Sequence, residues 1–185
     1  MATQHHPRKP GHDLCGDSRL PEAIDLLVGT GDEGNPLLQL MAVLAAAESG
    51  DLTEARRLRK RWGRTHVRDW ASDVATLLEA EVALQIGDEP EIEMATVQLH
   101  PFRGRQAVLG TPSFSLGAYD ELLGRIAERA GDTVAAREWW RAARRQGVAV
   151  GSPHQVALAD SHLARVPEET ATRPRRRRST APKSA

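Results

Sequence analysis

This 185-residue sequence has one cysteine, one tyrosine, two phenylalanines and no long apolar run, and each shortage excludes something. The lone Cys15 excludes an intramolecular disulfide, and its place among turn and polar residues fits a reducing compartment. No apolar run reaches the roughly 18 residues that span a bilayer, and the opening MATQHHPRKPGHD has no apolar region of a secretory signal. The expectation is a cytoplasmic protein with no membrane association. β-branched alternation is nearly missing too, QAVLG at 106–110 being the only short strand candidate, so a sheet architecture has little to build with. Net charge is also absent overall, since 25 basic and 25 acidic side chains cancel. The cancellation hides an asymmetry. Residues 171–185 hold Arg173, Arg175, Arg176, Arg177, Arg178 and Lys183 with no acid, while residues 1–18 balance, so the body between carries a net charge of minus six.

What is present is helical periodicity. Apolar residues recur at three and four, as in Leu37, Leu40, Met41 and Leu44, in Trp70, Val74, Leu77 and Leu78, and in Tyr119, Leu123, Ile126, Ala127 and Ala130. The fold class expected is all-α. Residues 1–18 and 167–185 are poor in apolar side chains and are expected to be disordered, the second as a basic tail. Between them, 19–35 reads as a short helix, over about 20–28, with a linker, and 36–166 as one helical repeat domain.

A Gly-Asp pair recurs at 50–51, 87–88 and 131–132, each time between a longer helical pattern and a shorter one. Glycine past a helix end tolerates the left-handed conformation that closes it, and the aspartate caps the next helix, so each pair predicts a tight turn between antiparallel helices. Five residues after each glycine stands Ala55, Ile92 or Ala136, followed in the first and third units by Arg56 and Arg137. A closing helix is expected over about 152–165, with Ser152 before Pro153 as its N-cap.

The third unit, LLGRIAERAGDTVAAREWWRAA, places Gly124, Ala127, Ala136, Trp140 and Ala143 in a pattern that resembles a tetratricopeptide repeat (TPR). Small residues at 124 and 136 let two helices approach, and Trp140 fills the space beside them. Asp120 and Ala127 depart from the motif, which usually has large aromatics there, and no Pro follows Gly147. The first unit has Arg59 where an aromatic is usual, and the second is degenerate. The stretches GDLTEARRL, ATLLEAEVALQIGD, HPFRGRQAVLG and GSPHQVALADSHLARV, in that order over about 36–166, further resemble the helical-repeat region of large ATP-dependent bacterial transcriptional regulators of the LuxR and SARP types. The ATPase and DNA-reading parts of such regulators are not in the sequence. The resemblance implies antiparallel helical hairpins stacked as a short TPR-like right-handed superhelix. First helices then form a concave groove, with contact positions at Glu81, Glu121, Arg125 and Glu128.

GTGDEG at 29–34 matches the spacing of a dinucleotide-binding loop, but no second strand follows within reach and Asp32 and Glu33 stand where a phosphate would rest. It reads as a linker. His5, His6, His12 and Cys15 show no paired ligand spacing, and His66, His100, His154 and His162 are scattered, so no metal and no cofactor are expected. Ser113, Ser115, Ser152 and Ser161 have no nucleophile-elbow context, and the acid pairs Glu79 with Glu81 and Glu121 with Glu128 suit a solvated surface as well as a site. Trp140 takes the packing role, leaving Trp139 as the better contact candidate. The run Arg56, Arg57, Arg59, Lys60, Arg61 and Arg64 predicts a cationic outer surface on its helix.

The function expected is a non-enzymatic protein-protein interaction module that holds a peptide or helix in the groove, as a fragment or paralogue of a transcriptional regulator. Apolar Leu40 and Leu44 at the first unit's groove positions point to packing on another domain, on a second copy, or on the short helix containing Ile24 and Leu27. The alternative is a nucleic-acid-associated protein that uses Arg175, Arg176, Arg177 and Arg178. A small helical enzyme, the third reading, requires a groove with a buried polar cluster of perturbed protonation.

Overall fold

A computed structural model describes residues 20–32, 34–64, 71–108 and 115–167. Of the two ends expected to be disordered, residues 1–18 and 168–185, with His5, His6, His12, Cys15 and the four tail arginines, lie outside the described residues, as do His66, Trp70 and Ser113. The described chain is mostly helical, with eight α-helices and two short strands. They run α1 (Leu20–Asp32), α2 (Pro36–Glu48), α3 (Leu52–Trp62), α4 (Ser72–Ile86), α5 (Glu89–Leu99), β1 (Gln106–Val108), β2 (Ser115–Ala118), α6 (Tyr119–Arg129), α7 (Thr133–Ala149) and α8 (Pro153–Arg165).

Helices α2 and α3, α4 and α5, and α6 and α7 pair as hairpins, and each turn is the Gly-Asp pair that the sequence marks. Gly50, Gly87 and Gly131 have φ of 88°, 77° and 74°. Asp51, Asp88 and Asp132 then accept the backbone N–H of Glu54, Glu91 and Ala135, satisfying a donor that a helix start leaves open. Ala55, Ile92 and Ala136 are all buried behind their turns. α8 follows as the closing helix, with Ser152 accepting from the Gln155 N–H and Pro153 in its first turn.

First helices lie beside one another, α2 against α4 and α4 against α6. Three clusters of buried side chains run along the stack: α1 to α4 around Leu40, Val43, Leu58 and Val82; α4 to α6 around Leu77, Leu99, Tyr119 and Leu123; and α6 to α8 around Trp140. Leu40 and Leu44 are buried, with Leu27 and Val28 of α1 against their cluster, so the short N-terminal helix covers that apolar face.

Trp140 is fully buried, and a β-carbon added at Gly124 would stand 2.9 Å from its indole, the close approach that the small residue permits. The indole Nε1–H donates to Glu128 at 2.6 Å, and the ring stacks on His162 at 3.8 Å between centroids. Arg56 and Arg137 occupy equivalent places and do equivalent work. Arg56 reaches the carbonyl of Ile86 at the end of α4, and Arg137 reaches those of Leu163 and Val166 at the end of α8, so each clasps the C-terminal end of the helix that follows its hairpin.

Four local expectations are corrected. GTGDEG is not a linker: α1 continues through Gly29 and Gly31 to Asp32, because Gly31 packs directly under Gln39 and Trp62 while Asp32 binds the Trp62 indole and Arg61. Only Gly34, at φ 94°, is the turn. The basic run on α3 is not a uniform outer surface, since Arg59 is buried and binds Glu79 at 2.6 Å and Glu91 at 2.9 Å. Burial opposes its charge, but those two carboxylates outweigh it and hold the guanidinium pKa above its ordinary value. Glu79 is correspondingly buried rather than on a solvated face. Finally, the QAV strand has a partner that alternation did not signal, SLGA at 115–118, paired antiparallel with an irregularity between Ala107 and Val108.

The β-hairpin explains why the third Gly-Asp pair lies farther from the second than the second does from the first. It is inserted between α5 and α6 after a 3-10 turn, His100–Phe102. Phe102 stacks on Tyr119 at 4.9 Å, the Tyr119 hydroxyl donates to the Asp73 carbonyl at 2.7 Å, and Asp120 accepts the Gly104 N–H. Asp120 is thus the anchor of the insertion.

Candidate partner-binding surfaces

Helix α6 is two-faced. At 100° per residue Glu121, Arg125 and Glu128 share one side, while Leu123, Ile126, Ala127 and Ala130 share the other. A different concavity lies against each side.

On the polar side, Arg125 Nη1 donates to Glu81 Oε2 of α4 at 2.6 Å, which joins the second and third hairpins. Glu121, one turn earlier, accepts no hydrogen bond among the described residues. Burial raises its pKa above the ordinary glutamate value, Glu81 adds to the rise, and Arg125 and His154 oppose it. Its carboxylate lies in a cavity of about 440 Å³ between the β-hairpin and the start of α8, which also has Gln106, His154 and Gln155 in its wall. Two hydrogen bonds between the Gln106 and Gln155 side chains, at 3.1 and 3.0 Å, tie the hairpin to α8, and Ser115 Oγ donates to Gln106 at 3.0 Å. Glu128 is engaged elsewhere: its Oε1 takes the Trp140 indole N–H and lies 2.7 Å from His162 Nδ1. The structure therefore brings Glu81, Glu121 and Arg125 together and sets the Glu128 carboxylate in the α6–α7–α8 junction.

On the apolar side is an open cleft of about 660 Å³ between α5 and the third hairpin, floored by Ile92, Leu123 and Ile126. Half-buried Trp139 forms one edge, with His100 packed against it edge-on at 5.6 Å, and Glu93 stands on the opposite rim. Comparison with protein-family models, curated proteins and solved structures finds no match to this chain. The surface has to be read from its own chemistry.

Sequence position marks Trp139 as a contact candidate, whereas His100, Gln106 and Gln155 carry weaker signals. The signal for His100 and Gln106 is HPFRGRQAVLG, which begins with the one and contains the other, while Gln155 lies in GSPHQVALADSHLARV. Among the described residues no group of three or more His, Cys, Asp or Glu side chains is placed to hold a metal ion, and no helix is long and apolar enough to cross a membrane. Ser115 and Ser152 are occupied as a hairpin bond and an N-cap. On α3, Arg57 pairs with Glu54 and Arg61 with Asp32, so several of its cations already face acids of this chain.

Proposed function

We propose that this chain is a non-enzymatic protein-protein interaction module, a TPR-like repeat of the kind found in bacterial transcriptional regulators, standing as a fragment or paralogue of one. The observation that supports it best is the open apolar cleft beside Trp139, walled by α5 on one side and by the third hairpin on the other. Concave apolar surfaces with a few polar groups at the edge are what a partner's side chains fill. An amphipathic helix or peptide is the class of occupant that fits between stacked hairpins.

The enzyme reading finds its perturbed carboxylate in Glu121, but the two hydroxyls in the same cavity are committed to local hydrogen bonds. A lone carboxylate flanked by amides suits recognition better than group transfer. The nucleic-acid reading depends on Arg175–Arg178, outside the described residues.

The test is nuclease-treated affinity capture with the full chain, the chain without residues 171–185, and two cleft variants, Trp139→Ser and the surface change Glu93→Arg, each first shown to melt cooperatively. One protein held by the first two and lost by both variants supports the module. Retention that needs the tail and disappears with nuclease overturns it in favour of nucleic acid.

A further inference from the structure

We infer that the cavity beneath the β-hairpin is a pocket for an arginine side chain of the partner, with Glu121 as the acceptor of its guanidinium; this rests on the interaction-module reading and names the chemistry of one contact. The charge count comes first. Glu81, Glu121 and Arg125 carry two negative charges and one positive, and Arg125 gives its hydrogen bond to Glu81. One carboxylate is left over. It lies partly out of water and without a hydrogen-bond donor, a costly state that a cationic ligand relieves.

Shape and lining select the cation. Val108, Leu116, Val150 and Leu158 give the cavity apolar walls suited to an aliphatic stem. The reciprocal Gln106–Gln155 bonds hold its two sides at a fixed separation, so the pocket is formed before anything binds. Gly117, at φ 116°, brings the β2 backbone close beside the carboxylate, where a β-carbon would already touch Glu121 Oε2 at 3.5 Å. At about 440 Å³ the space lies within the range of about 300–1,000 Å³ usual for ligand sites. An anion is repelled by the surplus charge, and a divalent metal needs more converging ligands than one carboxylate. Between the two basic side chains, guanidinium is the more weakly hydrated and meets a carboxylate through two parallel N–H bonds, so it enters a half-apolar pocket at lower desolvation cost than ammonium.

The test uses the ¹⁵N-labelled full chain titrated with N-acetyl-arginine amide and, separately, with its neutral isostere N-acetyl-citrulline amide, followed by backbone amide shifts. The expected result is saturable shifts at Glu121, His154 and Gln155 with the arginine probe, at least about ten-fold weaker with citrulline and at least about ten-fold weaker in Glu121→Gln, a tenfold change being the size of one lost charge-assisted bond. Equal binding of both probes, unchanged binding by Glu121→Gln, or no saturable shift overturns the pocket. The chain without residues 171–185 decides the source. Equal affinity with and without the tail supports a partner's arginine; a gain of about ten-fold or more on its removal overturns that assignment, because the chain's own arginines then fill the site. If the arginine probe fails while capture still depends on Trp139, the pocket falls and the module stands. If the probe binds but no protein is captured, the module reading falls instead.

Discussion

Two glycine-to-alanine substitutions inside helices, chemically identical, are expected to change stability in opposite directions. Gly29 lies in α1 with nothing within 4 Å of where a β-carbon would go. Alanine there gains helix propensity and loses nothing, a stabilisation of about 0.5–1 kcal/mol. Gly124 in α6 starts with the same intrinsic gain, but its β-carbon would stand 2.9, 3.0 and 3.1 Å from three atoms of the Trp140 indole. The indole has little room to withdraw. It is wholly buried, its N–H is held by Glu128 and its face is stacked on His162. Overpacking of this kind costs about 1–3 kcal/mol, and a hydrogen bond to a carboxylate, if broken, about 1.5–3 more. With that bond broken and the propensity gain subtracted, Gly124→Ala should lose about 1.5–5.5 kcal/mol, which for a chain of this size lowers the melting midpoint by roughly 3–22 °C. Thermal and urea unfolding followed by circular dichroism at 222 nm would read both variants side by side. A Gly124→Ala variant as stable as wild type, or a Gly29→Ala variant less stable, would refute the argument from local space.

Three further outcomes are expected from the packing and charge of this fold. Arg59→Met removes the cation from buried Glu79 and half-buried Glu91 and should cost about 3–5 kcal/mol, with much of the loss recovered in the double variant Arg59→Met, Glu79→Leu; a single variant within about 1 kcal/mol of wild type would mean the network is spectator chemistry. Tyr119, the only tyrosine, is buried, and its pKa is pushed up to about 12 by that burial and by Asp73, so its phenolate absorbance at 295 nm should rise near pH 12 in the folded chain but near pH 10 when unfolded. A native titration near 10 would place the hydroxyl in water. For Glu121, whose folded pKa is raised, the native state holds its proton more tightly than the unfolded one, so stability falls as pH climbs from the unfolded glutamate value through the folded one. Glu121→Gln removes that loss. It should melt above wild type at pH 7, with the gap closing on acidification below about pH 4, and a variant less stable at pH 7 would contradict the sign.

The parts of this fold legible in the sequence were those decided within a few residues. Gly50, Gly87 and Gly131 take a positive φ and the following aspartates cap because both requirements are local. The helical spacing that placed Glu121 and Arg125 on one face is likewise a property of one segment. What stayed hidden depends on partners far along the chain. Gly31 is helical because Gln39 and Trp62 pack over it, and Arg59 is buried because Glu79 and Glu91, 20 and 32 residues away, meet it. β2 is a strand because β1 lies beside it; SLGA alone has too little alternation to announce one. The cavity at Glu121 depends on Gln106 meeting Gln155 across 49 residues, a contact with no periodic signature.

The arginine clasps bear on how such a stack yields. Arg56 and Arg137 each hold the carbonyl end of the following helix, but the corresponding place in the second hairpin is taken by exposed Glu93, and there α5 meets α6 through buried apolar side chains such as Leu99 and Leu123 and the surface pair Arg129–Glu89, with no arginine clasp. A surface ion pair contributes only about 0–1 kcal/mol and weakens with salt. Amide hydrogen exchange in the native chain would therefore open first along the α5–α6 seam, and sooner at high ionic strength, with the ends on either side exchanging more slowly as separate units. Both concavities are lined by α6, so a ligand in either one rests against the helix that borders that seam.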